Sequence, residues 1–515
     1  MELFSSLLSS FGLLLTISFI GILIFVAVMC HIYFYWKNKG VLYQPDSLRS
    51  FVMNCNILLR RITFSDYTLF MYNYFPDAQY YGIWDFIRPG IYLRDPELIK
   101  NVLVREFENF HDHRNFLDEI IDPLLGKNVL FLCGNRWKEI RNKLTPSFTA
   151  SKMKVTCELI SKCAGELVNY LIHHQELYAS VEMKQIFRRY NTDVMTTVVF
   201  GINVNSLKDQ NNEFYLKGVE IINSFNGVLT IFKLMFLIIF RRFAKLLGVT
   251  GILSSAISDF FKRIVGETIR TREEQGTVRP DLIYLLTQTR DKDGANNQKI
   301  TLDEIISQVL FFFFAGFETS SLLMCFIAHE LALNPDIQDR LRKEVLQHLD
   351  EGHDISYELL SKMTYMDMVI SETLRKYPPQ ISMDRICTKN YELPPSQPGY
   401  KSMTIAPGTT IMIPIYALHH DPKYFPNPDK FDPERFSQEN KDNVVPYTYL
   451  PFGQGPRKCI GARFVFMKTK ILIAHLLRQF ILKKTEKTVE PVFDKNSFNL
   501  QFDGGFWIGL EKRDS

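Results

Sequence analysis

The run from Thr301 to Leu333 constrains this chain most. Thr301-Leu302-Asp303-Glu304 matches a capping box and Asn334-Pro335 supplies a stop, so one uninterrupted helix is predicted between them. At 1.5 Å per residue it is roughly 50 Å long. A helix of that length must cross a whole domain. Patterns are mostly helical from about residue 115 to 380, and strands are short after Pro394, where Pro and Gly are frequent. No internal repeat is evident, and no linker follows residue 45. The 515 residues suggest about three domains as a prior. The pattern instead reads as one large, mainly helical unit with a small β part.

Composition excludes several classes. With 46% hydrophobic and 23% charged residues the chain is neither disordered nor collagenous nor a coiled coil. A net charge of +4 gives no argument for nucleic-acid binding. Eight Cys are too few for a disulfide scaffold. The 42 Phe need a core, a membrane or an apolar ligand to cover them.

Part of that apolar surplus lies at the N-terminus. No Lys, Arg, Asp or Glu occurs from Leu3 to Trp36, and Phe11–Tyr35 exceeds the ~20 apolar residues a spanning helix needs. Aromatics (Tyr33, Tyr35, Trp36) and then Lys37 and Lys39 follow, as at a cytoplasmic interface. The expectation is an uncleaved signal-anchor over 1–36, a linker over 37–45 and a cytosolic catalytic part over 46–515. A hairpin is expected over Tyr81–Leu93 with its turn at Pro89-Gly90, then a helix starting near Asp95-Pro96. A second hairpin is expected with Gly504-Gly505 at its tip, between Phe498–Phe502 and Phe506–Leu510. Leu229–Phe243 is apolar but too short and charged to span; it suits a membrane interface or the core equally.

The chemistry concentrates in Pro451–Phe464, PFGQGPRKCIGARF. Three glycines and two prolines fix a loop of unusual shape, which runs into the helical stretch Ala462 to Phe480. Cys459 therefore sits just before a helix N-terminus. There the dipole, free amide N–H groups and Arg457 should lower its pKa and favour a thiolate. A thiolate at this place serves as a nucleophile or as a metal ligand.

Phe452, Gly455, Arg457, Cys459 and Gly461 match the F-x-x-G-x-R-x-C-x-G signature, and here the chain resembles the cytochromes P-450, the haem-thiolate monooxygenases. Further segments fit that resemblance in the family's order. Ala315-Gly316-Phe317-Glu318-Thr319-Ser320 lies mid-way along the long helix. The resemblance implies that Ala315 and Gly316 leave room for dioxygen and that Thr319 and Glu318 deliver protons during its activation. A packing Gly and a back-bonded Thr are the plainer reading of that segment. Helical spacing puts Phe311 and Phe312 on the same face as Thr319, as pocket residues. Glu372-x-x-Arg375 and Arg435, in PERF, resemble the family's structural charge network. An E-x-x-R pair alone says little. Trp137, Arg141, Arg385 and Arg457 are assigned to the haem propionates, which suit bidentate guanidinium groups. Phe452 and Gly461 complete the cofactor-binding set, and Cys459 is the metal ligand.

The resemblance runs from about Gly40 to the end, and its wording is most similar to insect microsomal members of the detoxifying type. It departs at the linker, where many relatives carry a double proline and this chain has only Pro45. It implies the cytochrome P-450 fold, mainly α with a small β part, behind an N-terminal transmembrane helix in the endoplasmic reticulum. It also implies haem b and electrons from NADPH-cytochrome P-450 reductase, with cytochrome b5 as a second donor, and no nucleic-acid partner. The absence of G-x-G-x-x-G after a strand argues that NADPH binds elsewhere. Lys138, Lys143 and Lys458 form either a docking patch for an acidic partner or a plain solvated face. An apolar small molecule is the expected substrate: xenobiotic, insecticide, plant toxin, steroid or fatty-acid-like. The rivals are a haem-thiolate isomerase or dehydratase, against which the intact Gly316–Thr319 segment argues, and a non-enzymatic haem sensor. Pocket loops are expected near 111–133, 223–232 and 504–507.

Overall fold

The computed structural model describes residues 34–44, 48–85, 88–247, 249, 251–276, 279, 281–292, 300–349, 355–488, 492–497 and 499–513, with Phe19 and Gly21. The fold is mostly helical with small sheets, as expected. The expected transmembrane stretch falls almost wholly outside the described residues. Among those described, Leu302–Leu333 alone is by itself long and apolar enough to cross a membrane, and it is largely buried inside the protein.

That helix is the axis of the molecule. Thr301 and Glu304 close the capping box from both sides, and Asn334 ends the helix before the next begins at Pro335. Around it pack the helices Met183–Met195, Glu213–Phe225, Ser255–Gln275, Pro335–His348, Thr364–Lys376 and Ala462–Gln479. The Phe surplus is used here. Phe313 meets Phe200, Phe214, Phe261 and Phe317 at centroid distances of 6.0, 6.1, 5.5 and 5.9 Å. Burying each such ring stabilises the fold by about 2 kcal/mol.

The β part stands beside this bundle. Strands β1 (Tyr80–Asp85) and β2 (Arg88–Leu93) form the expected hairpin. Its turn, however, is not Pro89-Gly90: Pro89 pairs with Trp84 and Gly90 with Ile83 inside the ladder. β2 continues through β7 (Thr410–Ile413) to β4 (Met383–Ile386), in the order β1-β2-β7-β4. Pro96–Lys100 is the expected helix, with Asp95 as its N-cap. Tyr391–Leu393 pairs with Met403–Ile405. The second expected hairpin does not form. Phe502 bridges to Phe493 instead, and β9 (Trp507–Lys512) pairs with β8 (Phe480–Lys483) and with β3 (Val181–Glu182). Long-range partners outbid the local turn.

The expected boundary at 36 and linker over 37–45 need correction. Trp36 is fully buried under β1, and its Nε1 donates to the Ile83 carbonyl at 3.1 Å. Gly82 has no room for a Cβ because the Trp36 ring would lie 2.6 Å from it. Leu42 and Gln44 exchange backbone hydrogen bonds with Gly82, so this stretch is part of the sheet region. Trp36 therefore belongs to the core and not to a membrane-interface belt.

Candidate functional site

The Cys loop is shaped by close approaches. Gly455 has φ +76°, and a Cβ there would come within 2.0 Å of the Leu103 carbonyl oxygen, so only glycine fits. Cys459 N–H donates to the Phe452 carbonyl at 2.9 Å, and Lys458 N–H to Gly455 at 3.0 Å, which closes the loop. Gly461 is the N-cap of Ala462–Gln479. The Cys459 thiol has open surface, yet it lies deep within the protein.

The expectation of a lowered Cys459 pKa does not hold for the protein without a metal. Burial pushes the thiol up, and hydrogen bonding from Gly461 and Ala462 with the charges of Arg141 and Lys458 only partly offsets it. Arg457 is not the cation that acts on it. Its guanidinium lies over the Trp137 ring, 4.0 Å from the centroid, and donates to the His111 and Leu132 carbonyls and to Asp112. Arg141 braces the loop instead, donating to the Lys458 carbonyl at 2.7 Å.

The mid-portion of the long helix opens onto space as well. Phe311, Phe314, Ala315, Gly316 and Thr319 are partly exposed, while Phe312, Phe313, Phe317, Glu318 and Ser320 are buried. Partly exposed positions three to four apart on a buried helix mark a face lining a cavity. Phe312 is not on the open part of that face: it packs on Phe148 at 5.3 Å, and Phe314, stacked on Phe225 at 5.4 Å, is open in its place. The Thr319 hydroxyl donates to the Ala315 carbonyl at 2.6 Å. Gly316 permits close packing, since a Cβ there would meet Met195 Sδ at 2.5 Å.

Glu318 does not point at Thr319. Its carboxylate is buried and held by Arg188, with Lys184 Nζ 3.6 Å away. These two cations lie on the Met183–Met195 helix and were not visible as site residues in the sequence. A signal existed: Lys184 and Arg188 are four apart, on one helical face.

Glu372, Arg375 and Arg435 come together in a buried charge cluster. Arg375 Nε and Nη2 bind both oxygens of Glu372 at 2.7 and 2.8 Å, with both side chains fully buried. Arg435 Nε lies 3.4 Å from Glu372, and Asp432 N–H donates to it at 3.0 Å. Arg375 also donates to the His419 and Pro428 carbonyls, which ties this helix to the segment preceding the Cys loop.

Arg385 provides the test of whether haem fits. It is fully buried, and its Nε and Nη2 have no partner among the described residues. Its Nη1 reaches the Asp384 carbonyl at 2.7 Å and His113 Nδ1 at 3.2 Å. Burial lowers Arg385 to about 10, and burial with repulsion from Arg385 lowers Arg457 to about 10. His113 is held well below its ordinary range by burial and then by the two guanidinium groups, so it is a neutral imidazole. A buried guanidinium with two donors unused, beside a second buried cation, calls for an anion. Haem propionates meet that need. His113 and the Asp384 backbone also belong to this site, and no motif in the sequence marks them.

A helical bundle around one long helix, a small β part and a Cys loop beside a buried arginine with unpartnered donors define a haem-thiolate protein. The family model for cytochrome P450 matches residues 47–506. The chain is 45% identical over 486 residues to cytochrome P450 9e2 of Blattella germanica, covering 89% of this chain and 90% of that one. It is 36% identical to the probable cytochrome P450 9f2 of Drosophila melanogaster, covering 93% and 95%. It is 35% identical to cytochrome P450 6j1 of Blattella germanica, covering 93% of each. The chain belongs to the cytochrome P450 family. It is a monooxygenase whose cofactor is haem b with a cysteine thiolate axial ligand.

Proposed function

We propose that this protein inserts one oxygen atom from dioxygen into an apolar small molecule, with electrons delivered from NADPH by a separate flavoprotein reductase. Cys459 is the ligand to iron, and Arg385, Arg457 and Trp137 hold the propionate side, with Arg141 supporting the loop. Bound there, haem supplies dioxygen activation, and thiolate ligation favours O–O cleavage. Gly316 lets Met195 pack close against one side of the helix, while Ala315 leaves room on its partly exposed side. Thr319 presents its hydroxyl there, and Glu318 serves as the acid once it exchanges Arg188 for water. Phe311 and Phe314 give the cavity an apolar wall, which suits a xenobiotic or another apolar substrate. The single observation that carries this reading is the buried Arg385, its Nε and Nη2 unpartnered, beside Arg457 of the Cys459 loop.

The same reading puts the protein on the endoplasmic reticulum membrane, catalytic part in the cytosol, with the apolar stretch before Trp36 providing the anchor. Exposed apolar side chains support a second membrane contact: Leu229 is 85% exposed and Leu246 81%, with Phe232, Ile239, Phe240 and Phe243 around them. Lys138, Lys143 and Lys458 are the candidate docking cations for the reductase. The experiment is product formation from a panel of apolar substrates with reconstituted reductase and NADPH. Product that depends on both supports the reading, and a haem-loaded protein that turns over nothing, or only rearranges substrate without NADPH, contradicts it.

A further inference from the structure

Lys468 is fully buried on the helix that begins at the Cys loop, nine residues after Cys459. Its Nζ donates to the Gly316 carbonyl at 2.9 Å and lies 4.0 Å from Met195 Sδ and 5.3 Å from the Phe464 ring centroid. No carboxylate stands within ion-pair distance of it among the described residues. A buried ammonium with one carbonyl acceptor is unfavourable, and a Met would fill the same space without that penalty. The arrangement therefore calls for a role. Gly316 supplies one. The adjacent Ala315 carbonyl already accepts the Thr319 hydroxyl. The turn Ala315–Thr319 thus carries side-chain donors on two successive carbonyls, one of them from the Cys459 helix.

We propose that Lys468 is a positioning residue for oxygen handling: its bond to the Gly316 carbonyl clamps the Ala315–Thr319 turn to the helix that starts at Cys459. This inference rests on the proposed role of Thr319. The clamp has a built-in charge change. Burial lowers Lys468 to about 7, so it is an ammonium below that pH and an amine above it. Few neighbours interfere. From the Met183–Met195 helix, Tyr190 reaches the Lys468 backbone carbonyl, and burial holds its hydroxyl well above neutrality. On the same helix Asp193 also lies at about 7, but it faces Ser206. Glu318 on the central helix is compensated by Arg188 and Lys184. On its own helix Lys470 is engaged by Asp367 and the Leu360 carbonyl.

The test compares wild type, Lys468→Met and Lys468→Gln as full-length, haem-loaded proteins. One readout is the carbon monoxide stretching frequency of the reduced protein from pH 6 to 9. The other is hydrogen peroxide released per NADPH with reductase and an O-alkylated coumarin probe. The wild type should show a step in the stretching frequency near pH 7 that both variants lack. Lys468→Met should release severalfold more peroxide, with Lys468→Gln, which keeps a donor, between it and wild type. A pH step that persists in the variants, or peroxide release unchanged in Lys468→Met, overturns the proposal. If Lys468→Met takes up no haem, the pH step in Lys468→Gln decides. If no protein turns over the probe, the proposed monooxygenation fails for that probe, and the carbon monoxide readout still decides the clamp.

Discussion

Arg188 grips the Glu318 carboxylate with two hydrogen bonds, Nε to Oε2 at 2.7 Å and Nη2 to Oε1 at 2.6 Å, while the next residue, Thr319, is partly exposed on another face of the helix. The pair joins the Met183–Met195 helix to the central helix, 130 residues apart in sequence. Removing one partner leaves a buried charge unpaired, with Lys184 as partial relief. Arg188→Ala should lower stability by about 3 kcal/mol, and Glu318→Gln by less. Denaturant unfolding monitored by circular dichroism checks this. If Arg188→Ala unfolds like wild type, the pair does not hold the two helices.

Arg385→Leu removes the buried cation whose Nε and Nη2 lack partners. Losing a charge-assisted hydrogen bond to a propionate should weaken haem retention by about 10–100-fold. Haem transfer to apomyoglobin measures it. Because repulsion from Arg385 helps lower Arg457, the apo form of the variant should be no less stable than apo wild type.

Trp36 sets where truncation becomes harmful. Deleting residues 1–33 should weaken membrane association and leave haem binding intact. Deleting 1–36 also removes a fully buried indole and should destabilise the fold by about 3–5 kcal/mol. Flotation with phospholipid vesicles and thermal melting separate the two effects. Residual vesicle binding of the 1–33 deletion should fall when Leu229 and Leu246 are changed to Ser.

Asp193 is buried and pushed up to about 7, chiefly by burial. Its folded pKa lies above its unfolded value, so the folded state holds the extra proton between about pH 4 and 7. Its contribution is present in full below that window and is lost as pH rises through it. At its steepest the loss is about 1.4 kcal/mol per pH unit. Asp193→Asn should flatten this slope in unfolding experiments from pH 4 to 8.

What could be read from the chain was local. The capping box at Thr301, the Cys459 loop and the Glu372-x-x-Arg375 pair are short-range patterns whose partners lie within a few residues. The misses all depend on distant partners. The sequence marks Glu318 as an acid but not its partner Arg188, which comes from another helix. Arg457 stands two residues before Cys459 in the chain, but Asp112 and the His111 and Leu132 carbonyls turn it away. Phe312 and Phe314 exchange roles because Phe148 packs on one and Phe225 stacks on the other. Trp36 looked like an interface aromatic until Gly82 gave it a slot. The β9 pairing overrode the Gly504-Gly505 turn because two separate strands were available to it.

The central claim is that Cys459 holds haem as its thiolate ligand. The direct measurement is the absorption spectrum of the reduced, carbon-monoxide-bound protein, for wild type and for Cys459→Ala. The wild type should show the red-shifted Soret band of thiolate ligation, and Cys459→Ala should lack it. A red-shifted band that survives in Cys459→Ala, or a wild-type spectrum of the imidazole-ligated kind, would contradict the account.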